Sequence, residues 1–225
     1  MNMQKVFTHL EPPVKLEEFN SMTDPNGSRY YDSPGGRYPS VTTVTGWEKR
    51  EFFAEWRKNN PKESSRVLKR GNTLHTLIEK YLKNEDINLM SYPPVVASLF
   101  MQMRNTLDKI DNIYALEMPL WSGTLALAGR VDCVAEYNGK LSVIDFKGST
   151  RQKRKQDIEN YFLQGTAYAI MWQSMTEIPI HEFNIIISSE TGQPCEVFSG
   201  DPMKYVPKLY KTIKNYHKSN PPLLV

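Results

Sequence analysis

Cysteine is nearly absent from this 225-residue chain. Cys133 and Cys195 are too few for a disulfide framework or for a four-cysteine zinc or iron–sulfur site, so no iron–sulfur cluster is expected. Long apolar runs are missing too. None approaches the roughly 20 residues that a membrane-spanning helix needs, and no membrane association is expected. Neither sign of charge dominates: 28 Lys and Arg against 25 Asp and Glu leave a net charge of +3, which does not by itself identify a polyanionic partner. Met1 to Glu18 carry neither the apolar segment of a secretory signal nor the Arg-rich, acid-poor character of a transit peptide, so a cytoplasmic setting is expected.

What is present suits one folded unit with a substantial core, expected to span residues 1–225, with residues 1–38 as an irregular N-terminal arm rich in Pro, Gly, Asn and Asp. Helices are expected at about 47–58, 61–82, 94–109 and 158–173, followed by a lysine-striped helix near the C-terminus. Asn60 is expected to cap the second of these. Strands are expected at about 113–121, 124–137, 141–147, 181–188 and 194–198. This order predicts an α/β fold with a central mixed β-sheet flanked by helices.

The most informative local feature is Asn138-Gly139, set between alternating apolar segments, the strongest short-range signal for a two-residue hairpin. If Tyr137 and Lys140 flank the turn, Asp132 falls opposite Asp145, and directly opposed side chains lie about 5 Å apart. Lys147 shares a strand face with Asp145. The apolar run from Leu141 to Phe146 predicts a strand covered on both faces, where uncompensated carboxylates are costly. Two carboxylates and an ammonium on one patch therefore point to a metal site, and hard oxygen ligands suit Mg²⁺. Arg130 shares the Asp132 face and is expected opposite Lys147, a repulsion that a phosphate would relieve. Cys133, on the other face, reads as a small core residue.

The upstream turn bears on one further acid. With Ser122-Gly123 as a two-residue turn, Glu117 falls opposite Ala128, four positions and roughly 13 Å along the strand from Asp132. A bulge at Gly129 would shorten that distance. Ser40 and Thr42 are compatible both with a substrate channel and with a simple strand. The cluster Arg151, Lys153, Arg154 and Lys155 follows the lysine strand closely and is expected to meet phosphate.

Gly129-Arg130-Val131-Asp132 followed by Ile144-Asp145-Phe146-Lys147 resembles the core of the PD-(D/E)XK nuclease superfamily. Tyr38-Pro39-Ser40-Val41-Thr42, Arg70-Gly71-Asn72-Thr73-Leu74-His75 and Gln164-Gly165-Thr166-Ala167-Tyr168 resemble, in order, further motifs of its RecB-like branch, whose small stand-alone members include mitochondrial and phage exonucleases. The resemblance implies a restriction-endonuclease-like core and hydrolysis of DNA phosphodiester bonds with Mg²⁺ or Mn²⁺. It implies catalytic roles for Asp132, Asp145 and Lys147, and metal ligation by Asp132, Asp145, the Phe146 carbonyl and His75, with Gly71 letting the helix approach the sheet. Glu117 resembles an acidic residue preceding the core acids and is a further candidate ligand. Gln164 and Tyr168 are implied to contact the nucleic-acid backbone or the catalytic lysine. The implied partner is DNA that is single-stranded or has a free end, and the implied setting is the bacterial host's cytoplasm if the chain is phage-encoded. A structure-specific endonuclease or junction resolvase, and a non-catalytic nucleic-acid-binding module, are the alternatives.

Overall fold

The computed structural model describes residues 5–221. Its main sheet has five strands in the order β4 (Ile110–Ser122), β5 (Leu127–Tyr137), β6 (Lys140–Ser149), β7 (Glu182–Ser189) and β8 (Glu196–Gly200). β6 and β7 are parallel and the other neighbours antiparallel, so the sheet is mixed as expected. Two helices, α3 (Pro61–Leu82) and α4 (Pro94–Leu107), cover one face. They bury Leu74, Leu77, Ile78, Leu99 and Met103 with Cys133, Ile144, Phe146 and Ile186 from the sheet. The long helix α5 (Glu159–Thr176) covers the other face, and against it pack α1 (Val41–Thr45) and α6 (Val206–Ser219). Sheet and helices press α5 from several sides, which explains why Phe162 to Ala169 are all buried and why its sequence lacks a polar stripe.

β6 is central and covered on both faces, so Ser142 to Phe146 are all buried. Cys133 is fully buried among apolar neighbours, as its position predicts. The exposed edge of β4 is partly blunted by residues 8–10: Ile113 N–H donates to the Thr8 carbonyl and Leu10 N–H to the Ile113 carbonyl, each at 2.8 Å.

Several expectations are corrected. Of the supposedly irregular arm, residues 1–4 lie outside the described residues, and residues 21–39 form a small antiparallel sheet of β1 (Ser21–Thr23), β2 (Arg29–Ser33) and β3 (Gly36–Pro39). Its Pro and Gly clusters are the hairpin turns, Gly27 and Gly36 taking positive φ, and between them Tyr31 is buried. Ser40-Val41-Thr42-Thr43-Val44 begins helix α1 rather than forming a strand, because the Ser40 hydroxyl accepts the Thr43 N–H at 3.0 Å and caps it. The Asn60 side chain does not cap α3; its amide donates back to the Trp56 carbonyl and closes α2 (Arg50–Asn59) instead. In α6 the lysines lie on the exposed side, and the buried side is Leu209, Thr212, Ile213 and Tyr216.

Candidate functional site

The β5–β6 hairpin has the expected register, with Tyr137 paired to Lys140 and the ladder running to Cys133 and Ile144. One step further the strands part. Phe146 N–H donates to Asp132 Oδ2 at 2.9 Å, so a side-chain carboxylate takes the place of a backbone acceptor. Asp132 and Asp145 are thus side by side at the mouth of the splayed strands, 8% and 1% exposed. Because the ladder stops here, Arg130 does not pair with Lys147 as expected; it pairs with Pro119 of β4.

The β4–β5 register departs from expectation. Ser122 pairs with Leu127, so four residues, 123–126, make the turn. Leu125 is 1% exposed, its N–H bonded to the Ser122 hydroxyl at 3.3 Å, and Ala126 takes the left-handed conformation at φ 50°. Leu125 is drawn into the core at the turn instead of continuing the strand. The consequence is that Glu117 lies between the paired positions Leu116/Cys133 and Met118/Val131, opposite Asp132 rather than Ala128, with no bulge required at Gly129.

His75 completes the group. Its Nδ1 is 3.6 Å from Glu117 Oε1 and 3.6 Å from Asp132 Oδ2. Among the described residues, His75, Glu117 and Asp132 form one group whose ligand atoms all lie within 4.8 Å of one another. Asp145 is turned towards Lys147 instead: Nζ donates to Oδ1 at 2.6 Å and stands 2.5 Å from Oδ2. The Lys147 ammonium also lies 5.3 Å from the Tyr161 ring centre.

These contacts set the charges. Burial raises the Asp145 carboxyl to about 6 despite Lys147, and the nearby Asp132 charge adds to the rise. Burial opposes the Lys147 ammonium, but Asp145 and Asp132 outweigh it and keep the lysine protonated. Burial likewise opposes a charged His75, while Asp132 and Glu117 raise it to about 9. Three carboxylates crowded into a largely buried corner, with one imidazole, form a hard, anionic donor set of the kind that holds a divalent cation.

The site opens into a cleft of about 630 Å³. Ser40, Thr42, Arg130, Gln164 and Tyr168 line it together with His75, Glu117, Asp132 and Lys147. Gln164 and Tyr168 are both buried on α5 facing this cleft, and the Tyr168 hydroxyl reaches the place where a Gly129 Cβ would stand, only 2.8 Å from it. Arg130 binds Glu18, Nη2 to Oε2 at 2.6 Å, and donates from Nη1 to the Glu117 carbonyl. Arg151, Lys153, Arg154 and Lys155 are not among the lining residues, and Arg154 is paired with Asp157. Gly71 borders the cleft but has nothing within 4 Å of its Cβ position, contrary to the expected close packing. The close approach is at Gly148, where a Cβ would stand 3.0 Å from Leu74 Cδ2.

Arg70 is the cleft residue that sequence spacing missed. Its side chain is 3% exposed, with Nη2 donating to the Gly148 carbonyl at 3.0 Å and Nη1 bonded to Glu190. It therefore anchors the end of β6 directly after Lys147. Glu190 is 120 residues away in the chain, so no local pattern could reveal the pair.

A family model of the PD-(D/E)XK nuclease superfamily matches residues 49–194. Mitochondrial genome maintenance exonuclease 1 of Homo sapiens is 31% identical over 137 residues, covering 57% of this chain and 38% of the relative. The Mus musculus protein of that name is 28% identical over 174 residues, covering 69% and 51%, and the Xenopus tropicalis one 27% over 177 residues, covering 71% and 50%. This chain thus spans about half or less of the length of these curated relatives. The family match takes in Asp132, Asp145 and Lys147, and a mixed five-stranded sheet flanked by helices carries them in a restriction-endonuclease-like arrangement; the chain belongs to the PD-(D/E)XK nuclease superfamily.

Proposed function

We propose that residues 1–225 act as one nuclease domain, a Mg²⁺- or Mn²⁺-dependent exonuclease that hydrolyses DNA phosphodiester bonds and prefers single strands. The observation that carries this reading is the convergence of Asp132, Lys147, His75 and Glu117 in one open cleft, with the buried Asp145 bound to Lys147. Asp132, Glu117, His75, Asp145 and the Phe146 carbonyl would hold the cation. When bound, the cation lowers the pKa of a water and neutralises charge on the scissile phosphate.

The protein's own groups do the rest. Lys147, kept protonated by its carboxylate neighbours, is a hydrogen-bond donor rather than a base; it orients the attacking water and stabilises the negative charge that builds on the phosphoryl oxygens. Asp145 fixes the direction of that ammonium. Arg70 holds the strand end from which Lys147 projects, and Gln164 and Tyr168 form a wall along which the backbone would lie.

A preference for single strands is supported by a groove adjoining the cleft. The two share Arg29 and Thr42, and the groove is lined by Trp47, Phe53, Arg50 and Arg57, a mixture of rings and guanidinium groups on which unpaired bases stack. Phe53 in this groove is 45% exposed and packs edge-on against Phe52, 67% exposed, so an aromatic face is presented to solvent there. Beside the cleft, burial and the charges of Arg151, Lys49 and Arg70 depress the Lys153 ammonium, although Asp157 opposes them; a phosphate would relieve that crowding. No described helix is long and apolar enough to cross a membrane.

The test is a time course on end-labelled single- and double-stranded DNA and on circular single-stranded DNA, with Mg²⁺ or Mn²⁺ and an EDTA control. A metal-dependent ladder from one end of linear single strands is expected. Cleavage of the circle would replace the exonuclease reading with an endonuclease, and binding with no turnover would leave a non-catalytic module.

A further inference from the structure

Glu117 is the one member of the His75, Glu117, Asp132 group held in a left-handed conformation, at φ 48°. For a residue with a side chain this region is disfavoured relative to the right-handed ones, so something must hold it. The ladder on either side is regular, with Leu116 opposite Cys133 and Met118 opposite Val131, and no shift of register accompanies Glu117. The distortion is confined to one residue, and its carbonyl is the acceptor for Arg130 Nη1. Arg130 is itself braced, its guanidinium bound to Glu18 at 2.6 and 3.2 Å and its backbone paired with Pro119.

We infer that Arg130 is a positioning residue: by holding the rotated Glu117 carbonyl it keeps the Glu117 carboxylate beside His75 and Asp132, and so sets the affinity of the cation site. The inference rests on the metal-dependent reading above and deepens it. It gives Arg130 a task other than direct contact with phosphate. Groups that orient ligands in this way are typically worth 10- to 100-fold in metal affinity. Arg130 also joins the arm to the site, since Glu18, which braces it, precedes β1.

The experiment measures Mn²⁺ binding to the full chain, without DNA, by calorimetry or electron paramagnetic resonance. Arg130→Met keeps most of the aliphatic stem and removes the donors, and Glu117→Gln removes the ligand charge. Arg130→Met is expected to weaken Mn²⁺ about 10-fold or more. In the Glu117→Gln background the same change should cost less than about twofold, because Arg130 acts through Glu117. Thermal unfolding of the metal-free variants identifies any that fail to fold, in which case Arg130→Lys, expected to fall between wild type and Arg130→Met, replaces the methionine. Wild-type affinity in the folded Arg130 variant, or equal losses in both backgrounds, would overturn the inference. A wild-type protein that binds no Mn²⁺ would overturn it together with the metal-dependent reading.

Discussion

Two antiparallel connections meet at β5, and they are built on different principles. The β5–β6 turn is Asn138-Gly139, both at positive φ, 51° and 76°, as a tight turn matched to strand twist requires. Its register follows from those two residues alone. The β4–β5 turn also contains a glycine, Gly123, but is four residues long, because Leu125 is buried within it and Ala126 supplies the left-handed residue. Its register follows from a tertiary contact. The first connection brings Asp132 beside Asp145; the second brings Glu117 opposite Asp132. The cluster of His75, Glu117 and Asp132 proposed as a metal site therefore depends on one locally coded turn and one turn coded by the core.

Changes at the site should separate the two halves most strongly. Asp132→Asn and Asp145→Asn, on the locally coded hairpin, are expected to reduce cleavage of labelled DNA to the EDTA level. Lys147→Ala should slow it about 10²–10³-fold, with circular dichroism unchanged in all three. Wild-type turnover in any of them would remove that residue from the chemistry.

The next largest effect should come from the core-coded turn. Leu125→Ala deletes a fully buried side chain and is expected to cost about 2–5 kcal/mol in urea unfolding. If Leu125 sets the register, the variant should also bind Mn²⁺ more weakly, since Glu117 loses its place opposite Asp132. A variant that is destabilised but binds Mn²⁺ as tightly as wild type would show that the register has another source.

The smallest effects should have opposite signs at the two turns. Gly139→Ala places a side chain at φ 76° and should cost about 1 kcal/mol, whereas Ala126→Gly relieves one at φ 50° and should gain up to about 1 kcal/mol. Paired urea titrations check both. Losses at both positions would mean that Ala126 contributes packing that outweighs its strain.

Much of the fold was legible because its elements carry strong periodicity. The apolar positions of α3 and α4 and the two-sided burial of β6 are readable directly, and so is the register that follows from Asn138-Gly139. The small sheet of residues 21–39 was hidden because strands of three to five residues between Pro and Gly turns leave almost no pattern to detect. At the site, alternation placed Asp132, Asp145 and Lys147 on one patch. The task of Arg70, present in a quoted motif, remained invisible because its partner is Glu190, and the task inferred for Arg130 because its partners are Glu18 and a backbone carbonyl.

By itself the sequence determined the long helices, the central strand and the gathering of two aspartates and a lysine at one hairpin, since each follows from contacts between residues close in the chain. Tertiary structure decided the rest: that Leu125 folds inward and slides β4 along β5 so that Glu117 lies opposite Asp132, that α3 brings His75 to both, and that Asp145 turns to Lys147. Those choices turn on which side chains find room in a shared core and which charges find partners there, and both are properties of the assembled molecule.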